Sequence, residues 1–288
     1  MDTEVIVVGG GSAGLQAALT LGRMRHDVVV VDAGGPSNAP AHAIGGLLGA
    51  REVAPLDLLA TGRVQLAELP SVHLLAGEVT RVDAGRTVSL ADGTALAARA
   101  VVLATGMHYE VPDVPGIAEL WGTSVVHCPF CHGWEARDAR IGLLVASEEH
   151  ATHLVQLLRR LSPDLEIFNA IVELRADDGV LRSVVLPDGT EVPRDVLFVA
   201  APPTPRDVAF AHLPLERTEM GLLAIDQFGR TAVAGVYAAG DLVAAAPSVV
   251  QALATGQRAA VGIIRDLATA TPAGMRWQSQ ALDLSSAA

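Results

Sequence analysis

Residues 5–14 read Val5-Ile6-Val7-Val8-Gly9-Gly10-Gly11-Ser12-Ala13-Gly14, a β-branched run that breaks into glycine. Such side chains favour extended backbone, so residues 5–8 predict a short strand. Residues 15–24 carry apolar side chains at helical spacing. Val28-Val29-Val30-Val31 then predicts a second strand that ends on Asp32. The order is strand, Gly-x-Gly-x-x-Gly, helix, strand, acid. Glycines at 9, 11 and 14 let the backbone approach a pyrophosphate at the helix N-terminus. Asp32, 18 residues past Gly14, can hold ribose hydroxyls. Ser12 and Ala13 belong to the same turn. This predicts a dinucleotide site and does not separate NAD from FAD.

Residues 33–70 form a connection punctuated by Pro36, Asn38, Pro40 and Pro55, with a helix expected over about 55–69. Asn38 and His42 either reach the cofactor or serve as turn residues. From 72 to 106 the pattern is strand-like, with a turn at Asp92-Gly93. It closes on an apolar run at 100–104 and then Thr105-Gly106. That pair reads as a second close backbone approach to the cofactor, or as an ordinary turn. Near the other end stands Gly235-Val236-Tyr237-Ala238-Ala239-Gly240-Asp241, followed by a helix over about 248–267. An acid directly after a strand and glycine can hydrogen-bond a ribityl chain, and the next helix N-terminus can stabilise a reduced isoalloxazine. A structural turn is the alternative. From Thr269 the tail is polar and rich in Ala and Ser.

Both cysteines of the chain lie in His127-Cys128-Pro129-Phe130-Cys131-His132-Gly133-Trp134-Glu135. Three readings compete: a redox pair, a zinc site of His-Cys-Cys-His order, and inert structural cysteines. Adjacent residues rarely aim at one ion, so redox chemistry is favoured and no metal is expected. His132 is the first candidate for the proton carrier, with His127 second. Glu135 either orients a histidine or is an exposed charge.

A weak internal repeat follows. Residues 141–145 predict a strand, about 147–161 a helix, and 165–168 a second strand. Asp188-Gly189-Thr190 and the run at 196–200 echo Asp92-Gly93-Thr94 and the run at 101–104. Aligning Val8 with Val145 puts Ala146 at the first glycine, Glu148 at the second and Ala151 at the third. The first two do not suit a pyrophosphate turn, and Glu148 and Glu149 place carboxylates where it would sit. Ser147 reads as a helix N-cap above an acidic first turn. Thr105-Gly106 has become Ala201-Pro202, and no arginine pair follows Phe168; Arg159 and Arg160 read as a solvated helix face. This unit looks like a nucleotide fold that has lost its nucleotide.

The chain has 288 residues, half of them hydrophobic, and a net charge of −12 carried against arginines alone, with no lysine. That acidity leaves no electrostatic footprint for nucleic acid or anionic membrane. No apolar run approaches the ~20 residues of a membrane span, and no basic and apolar leader precedes the first strand. A soluble, cytoplasmic protein is expected.

In order and over nearly the whole chain, these motifs resemble the low-molecular-weight thioredoxin reductase family. The resemblance implies an α/β fold of two Rossmann-like (FAD/NAD(P)-binding) domains, the second inserted in the first and here shortened between Phe168 and Ile171. Residues 1–111 and 205–288 would form the FAD-binding domain, and 112–204 the inserted one. It also implies a homodimer. Gly9, Gly11, Ser12, Ala13, Gly14 and Asp32 would take the ADP part of FAD. Asn38, His42, Val79, Thr105, Gly106, Gly240, Asp241, Gln251 and Ala252 would lie along the rest. Cys131 would face the flavin, and Cys128 would exchange with substrate. Typical reductases carry an Asp directly after the second cysteine, where this chain has His132. The Cys-Pro-Phe-Cys-His-Gly-Trp-Glu segment looks instead like flavin-dependent dithiol oxidases that close disulfides in natural products of the gliotoxin and holomycin kind. That likeness implies a small-molecule dithiol as electron donor and O2 as acceptor; a disulfide reductase using NADPH or ferredoxin and a non-catalytic flavin redox sensor are the alternatives.

Overall fold

A computed structural model describes residues 2–145 and 148–268. The expected N-cap at Ser147 and the tail from Thr269 lie outside the described residues. The first sheet is built on Asp2–Val8, which pairs in parallel with Val28–Asp32 on one side and Ala95–Leu103 on the other. Val72–Ala76 extends it beyond Val28–Asp32. Asp2–Val8 explains its own composition. Val5 and Val7 face one core with Ala17, Leu21 and Ile263, while Ile6 and Val8 face another with Phe210, Leu213 and Leu223. A strand covered on both faces has no polar side, hence the unbroken β-branched run.

The first face is covered by the helices Ser12–Arg23 and Val249–Ala268, with Leu59 and Leu66 of Pro55–Ala67 beside them. Their approach requires glycine. A Cβ on Gly256 would stand 2.1 Å from the Ala13 carbonyl oxygen. The last described helix is thereby packed onto the start of the first.

Ala95–Leu103 does two jobs. Its first half pairs antiparallel with Thr87–Leu90, and its last residues pair in parallel with Val236–Ala238. The chain thus leaves this sheet after Leu103 and rejoins it at Val236, and the intervening residues include a second sheet. There Ile141–Leu144 lies between Leu165–Phe168 and Val196–Val199, with Val125–Val126 beyond, all parallel. An antiparallel sheet of Glu173–Asp177, Val180–Val185 and Glu191–Pro193 accompanies it. The outward strand Met107–Tyr109 pairs with the returning Pro203–Pro205.

The internal repeat holds down to single bonds. Thr94 N–H donates to Asp92 Oδ1 at 2.8 Å, and Thr190 N–H to Asp188 Oδ1 at 2.9 Å. The two turns close alike, Leu90 N–H to the Thr94 carbonyl and Leu186 N–H to the Thr190 carbonyl. The difference lies after the second strand. In the first unit Val28–Asp32 leads to the helix Pro55–Ala67 and on to Val72–Ala76. In the second, Leu165–Phe168 is followed directly by Glu173–Asp177 in the antiparallel sheet. No counterpart of that helix and strand occurs among the described residues. The expected shortening between Phe168 and Ile171 is this deletion.

Candidate functional site

One long cleft runs from the first glycine turn to the cysteine pair. At its near end Gly9 has φ +107°, and a Cβ there would meet the Ala104 carbonyl oxygen at 2.4 Å. Gly14 meets the other demand: a Cβ there would lie 1.8 Å from the Gly9 oxygen, so this position lets the helix sit on the turn. Gly11 differs from both. A Cβ would find no atom within 4 Å, and no side chain caps the helix it precedes. The space above Gly11 and the free first-turn amides are what a diphosphate requires. Gly9, Gly11, Ser12, Ala13 and Asp32 line this end.

Asp32 is already engaged. Its Oδ1 accepts from the N–H of Gly10 at 3.0 Å and of Gly34 at 3.2 Å, and Arg63 bonds Oδ2 at 2.9 Å. The carboxylate keeps lone pairs for a ribose while being held in place by the turn it follows. Further along, Asn38, Thr105, Gly106, Gly240, Asp241 and Ala252 reach the cleft wall. The Thr105 hydroxyl, however, donates to the Arg206 carbonyl at 2.6 Å and so serves the connection between lobes. Gly240 N–H donates to Thr255 Oγ1 at 2.9 Å, which fixes the turn that presents Asp241. Burial raises the Asp241 carboxyl pKa. A part-buried acid without a donor suits a ligand that supplies hydroxyls.

At the far end Cys128 and Cys131 are joined in a disulfide, with Cα atoms 5.3 Å apart. Pro129–His132 forms a single helical turn, started by the fixed φ of Pro129 and closed by Gly133 N–H on the Pro129 carbonyl at 2.8 Å. The turn sets the two cysteines apart: Cys131 lines the cleft and Cys128 does not. His127 and His132 line it as well. His127 lies against Trp121, ring centroids 5.5 Å apart, and Tyr109, at 4.3 Å. Burial, helped by the neighbouring His132, pushes His127 down to about 4. Burial also lowers His132, opposed by the Glu135 charge and the Cys128 backbone, and its Nδ1 is buried without a partner. Both imidazoles are therefore neutral acceptors at neutral pH. Glu135 is exposed and acts on His132 only through its charge. Tyr109 is pushed up to about 12 by burial and then by Asp241, so its hydroxyl stays protonated.

Besides Gly14, whose place is in the packing of the helix onto the turn, three expected cofactor residues do not reach the cleft. His42 is exposed on the connecting loop, and Gln251 is exposed on the last helix, where its backbone N–H bonds Ser248. Val79 packs against the core of the first sheet beside Val82 and Leu90. Each lies in the right element on the wrong face, which one-dimensional spacing does not resolve. Conversely, Arg63, Tyr109, Trp121 and Arg206 line the cleft without having been singled out. Gly45 was also missed, and it had a signal in the Gly45-Gly46 pair. A Cβ there would lie 1.8 Å from the Cys131 carbonyl oxygen, so the loop after Asp32 backs directly onto the disulfide.

Fold and cleft together define a flavin-type disulfide oxidoreductase. The family description "Pyridine nucleotide-disulphide oxidoreductase" matches residues 3–146 and 143–260, and the chain belongs to this family. Thioredoxin reductase sirT of Leptosphaeria maculans is 31% identical over 90% of this chain and 93% of its own length. Thioredoxin reductase tcpT of Claviceps purpurea (strain 20.1) is 30% identical over 92% and 95%. The crystal structure of HlmI superposes with a TM-score of 0.87 at 35% identity, covering 92% of both chains. A putative thioredoxin reductase, TrxB of Bacillus anthracis, gives 0.86 at 27% identity, covering 92% of this chain and 98% of its own. The protein is a thioredoxin reductase-like flavoprotein, and its cofactor is FAD. Among the described residues no helix is long and apolar enough to cross a membrane.

Proposed function

We propose that the protein is a dithiol oxidase: it closes a disulfide in a small-molecule dithiol and reduces O2 to H2O2. One observation carries the reading. Among its described residues the inserted lobe lacks the helix and strand that would complete a nicotinamide-coenzyme site, and its sequence has Ala146, Glu148 and Ala151 where the FAD turn has glycines. Electrons therefore enter through the cysteines.

A substrate thiolate attacks Cys128, the cysteine that does not line the cleft. The Cys128–Cys131 bond breaks, a substrate–Cys128 mixed disulfide forms, and Cys131 leaves as the thiolate inside the cleft. The second substrate thiol gives its proton to His132, with His127 behind it, and attacks the substrate sulfur of the mixed disulfide. The product disulfide closes and Cys128 is released. Two electrons now reside on the cysteine pair. FAD, held by the cleft residues, would supply the two-electron route from this pair to O2. The overall change is dithiol plus O2 to disulfide plus H2O2. Neutral histidines support the proton step, because an imidazole already protonated accepts nothing. Gly9, Gly11, Ser12, Ala13 and Asp32 would hold the ADP part of FAD, and Asn38, Gly106, Gly240, Asp241 and Ala252 the remainder.

We place the domain boundaries at 111/112 and 204/205, and take the working form to be a cytoplasmic homodimer. The decisive measurement is anaerobic mixing of the purified flavoprotein with NADPH and, separately, with dithiothreitol. The flavin should bleach with the dithiol only, and air should restore it with release of H2O2. Prompt bleaching by NADPH would instead make the protein a reductase of the kind its fungal relatives are named for.

A further inference from the structure

The charged groups that line the cleft do not stand alike. Arg63 is taken by Asp32 at 2.9 Å, and the two histidines are held neutral. Among the described residues no carboxylate pairs with Arg206. Its side chain donates only to the Gly35 carbonyl at 2.9 Å, while the adjacent Asp207 is claimed by Arg217. Its backbone is pinned on both sides: Arg206 N–H donates to the Gly106 carbonyl at 3.1 Å, and its own carbonyl accepts from Thr105. The guanidinium thus stands on the cleft wall with donors to spare.

Its position along the cleft follows from the bonds around it. Gly35 adjoins Gly34, whose N–H shares Asp32 Oδ1 with the N–H of Gly10. Arg206 therefore belongs to the glycine-turn end. A dinucleotide brings a diphosphate with two negative charges into a chain of net charge −12, past the unpaired carboxylate of Asp241. Helix amides offer only about half a charge against that. A free guanidinium supplies a full one, in a fork that matches phosphate oxygens.

We propose that Arg206 is a diphosphate anchor for FAD. It is carried on the segment that returns from the inserted lobe, so that the bound cofactor fastens that segment to the glycine turn. This depends on FAD as the cofactor and is independent of whether the enzyme runs as an oxidase or a reductase.

The test is flavin titration of the apoprotein, read by fluorescence, with FAD and with riboflavin, which has the isoalloxazine and ribityl chain but no phosphate. Arg206→Gln should raise the Kd for FAD about tenfold or more, as loss of a charge-assisted contact does, and leave riboflavin unaffected. Added salt should weaken FAD binding to the wild type more steeply than to this variant. Arg206→Lys, which keeps the charge, should recover part of the FAD affinity and serves if the glutamine variant does not fold. An unchanged FAD Kd would overturn the proposal. So would an equal loss for riboflavin, which would make Arg206 a support of the connection alone, or an equal loss in the Lys and Gln variants.

Discussion

In the first lobe the strand after the glycine turn's helix leads, through Pro55–Ala67, to a further strand. In the second lobe the equivalent strand, Leu165–Phe168, is the end of the sheet. The core strands, their parallel order and the Asp-Gly-Thr turns are shared. The turns that touch phosphate and the element that would carry a coenzyme's ribose end are not. A sheet core survives because burying an apolar side chain is worth roughly 1.5–3 kcal/mol whatever the protein does. A phosphate turn has no such support, since its glycines cost backbone entropy and repay it only when a ligand binds. The inserted lobe is therefore best read as a platform for the cysteine turn.

The largest expected effect falls on that turn. Cys128→Ser and Cys131→Ser should each lower dithiol-dependent O2 uptake by more than about 1,000-fold, since no other cysteine exists to take over. Both should retain FAD, read from the flavin absorbance of the purified protein. Uptake within tenfold of wild type in either would remove the pair from the reaction.

Next come the glycines, where the two lobes can be compared directly. Gly9→Ala sets the second lobe's residue into the first, against a φ of +107° and a carbonyl 2.4 Å from the new Cβ. It should yield apoprotein that is also less stable, by about 1–3 kcal/mol from the strained backbone alone. Gly11→Ala meets nothing within 4 Å. Its unfolding temperature as apoprotein should match wild type, while its FAD Kd rises, because the added methyl intrudes only on the ligand. If Gly11→Ala destabilised the apoprotein as much as Gly9→Ala, the distinction between fold glycine and ligand glycine would fail. Restoring Gly at 146, 148 and 151 in the inserted lobe should not confer reduction by NADPH, since the missing helix and strand are not restored with them.

These variants also show what the one-dimensional pattern could carry. The strands, helices and both Asp-Gly-Thr turns were readable because burial writes its period into residues such as Val5 to Val8 and because Asp92 and Asp188 bond their own turns. The deletion after Phe168 was readable as missing length. Which face of an element looks into the cleft was not readable, so Val79 and Gln251 were expected there and Tyr109 and Trp121 were not. Arg206 was invisible for a related reason. Its significance comes from contacts with Gly35 and Thr105, 171 and 101 residues away, and from its having no carboxylate partner among the described residues.

A smaller effect should appear as a pH dependence that the first lobe does not share. His127 titrates near 6.5 when unfolded and is pushed down to about 4 in the folded lobe. The unfolded chain then binds this proton more readily, so stability is whole above pH 6.5 and is lost as pH falls from 6.5 towards 4. The contribution is at most about 3 kcal/mol, and less where solvent reaches the ring. His127→Asn should flatten the fall of unfolding temperature between pH 6.5 and 4.5. An unaltered slope would mean that His127 is not held neutral.

The smallest expected effect concerns how substrate approaches Cys128. Phe130 and Trp134 are 74% and 71% exposed, the only exposed Phe, Tyr or Trp side chains among the described residues, and they lie in and just after the cysteine turn. Trp134 is not loose, since the Arg137 guanidinium lies 4.2 Å from its ring centroid and donates to its backbone carbonyl. An indole held open to water beside a disulfide offers a stacking surface at little entropic cost. Trp134→Ala should raise KM about three- to tenfold for a dithiol carried on an apolar ring, with kcat unchanged, as expected for binding that is equal in ground and transition states. For dithiothreitol, which is small and polar, KM should hardly move. Equal losses for the two dithiols would mean that Trp134 supports the turn itself, and the redox loop would then be a rigid element with no preference for the body that carries the thiols.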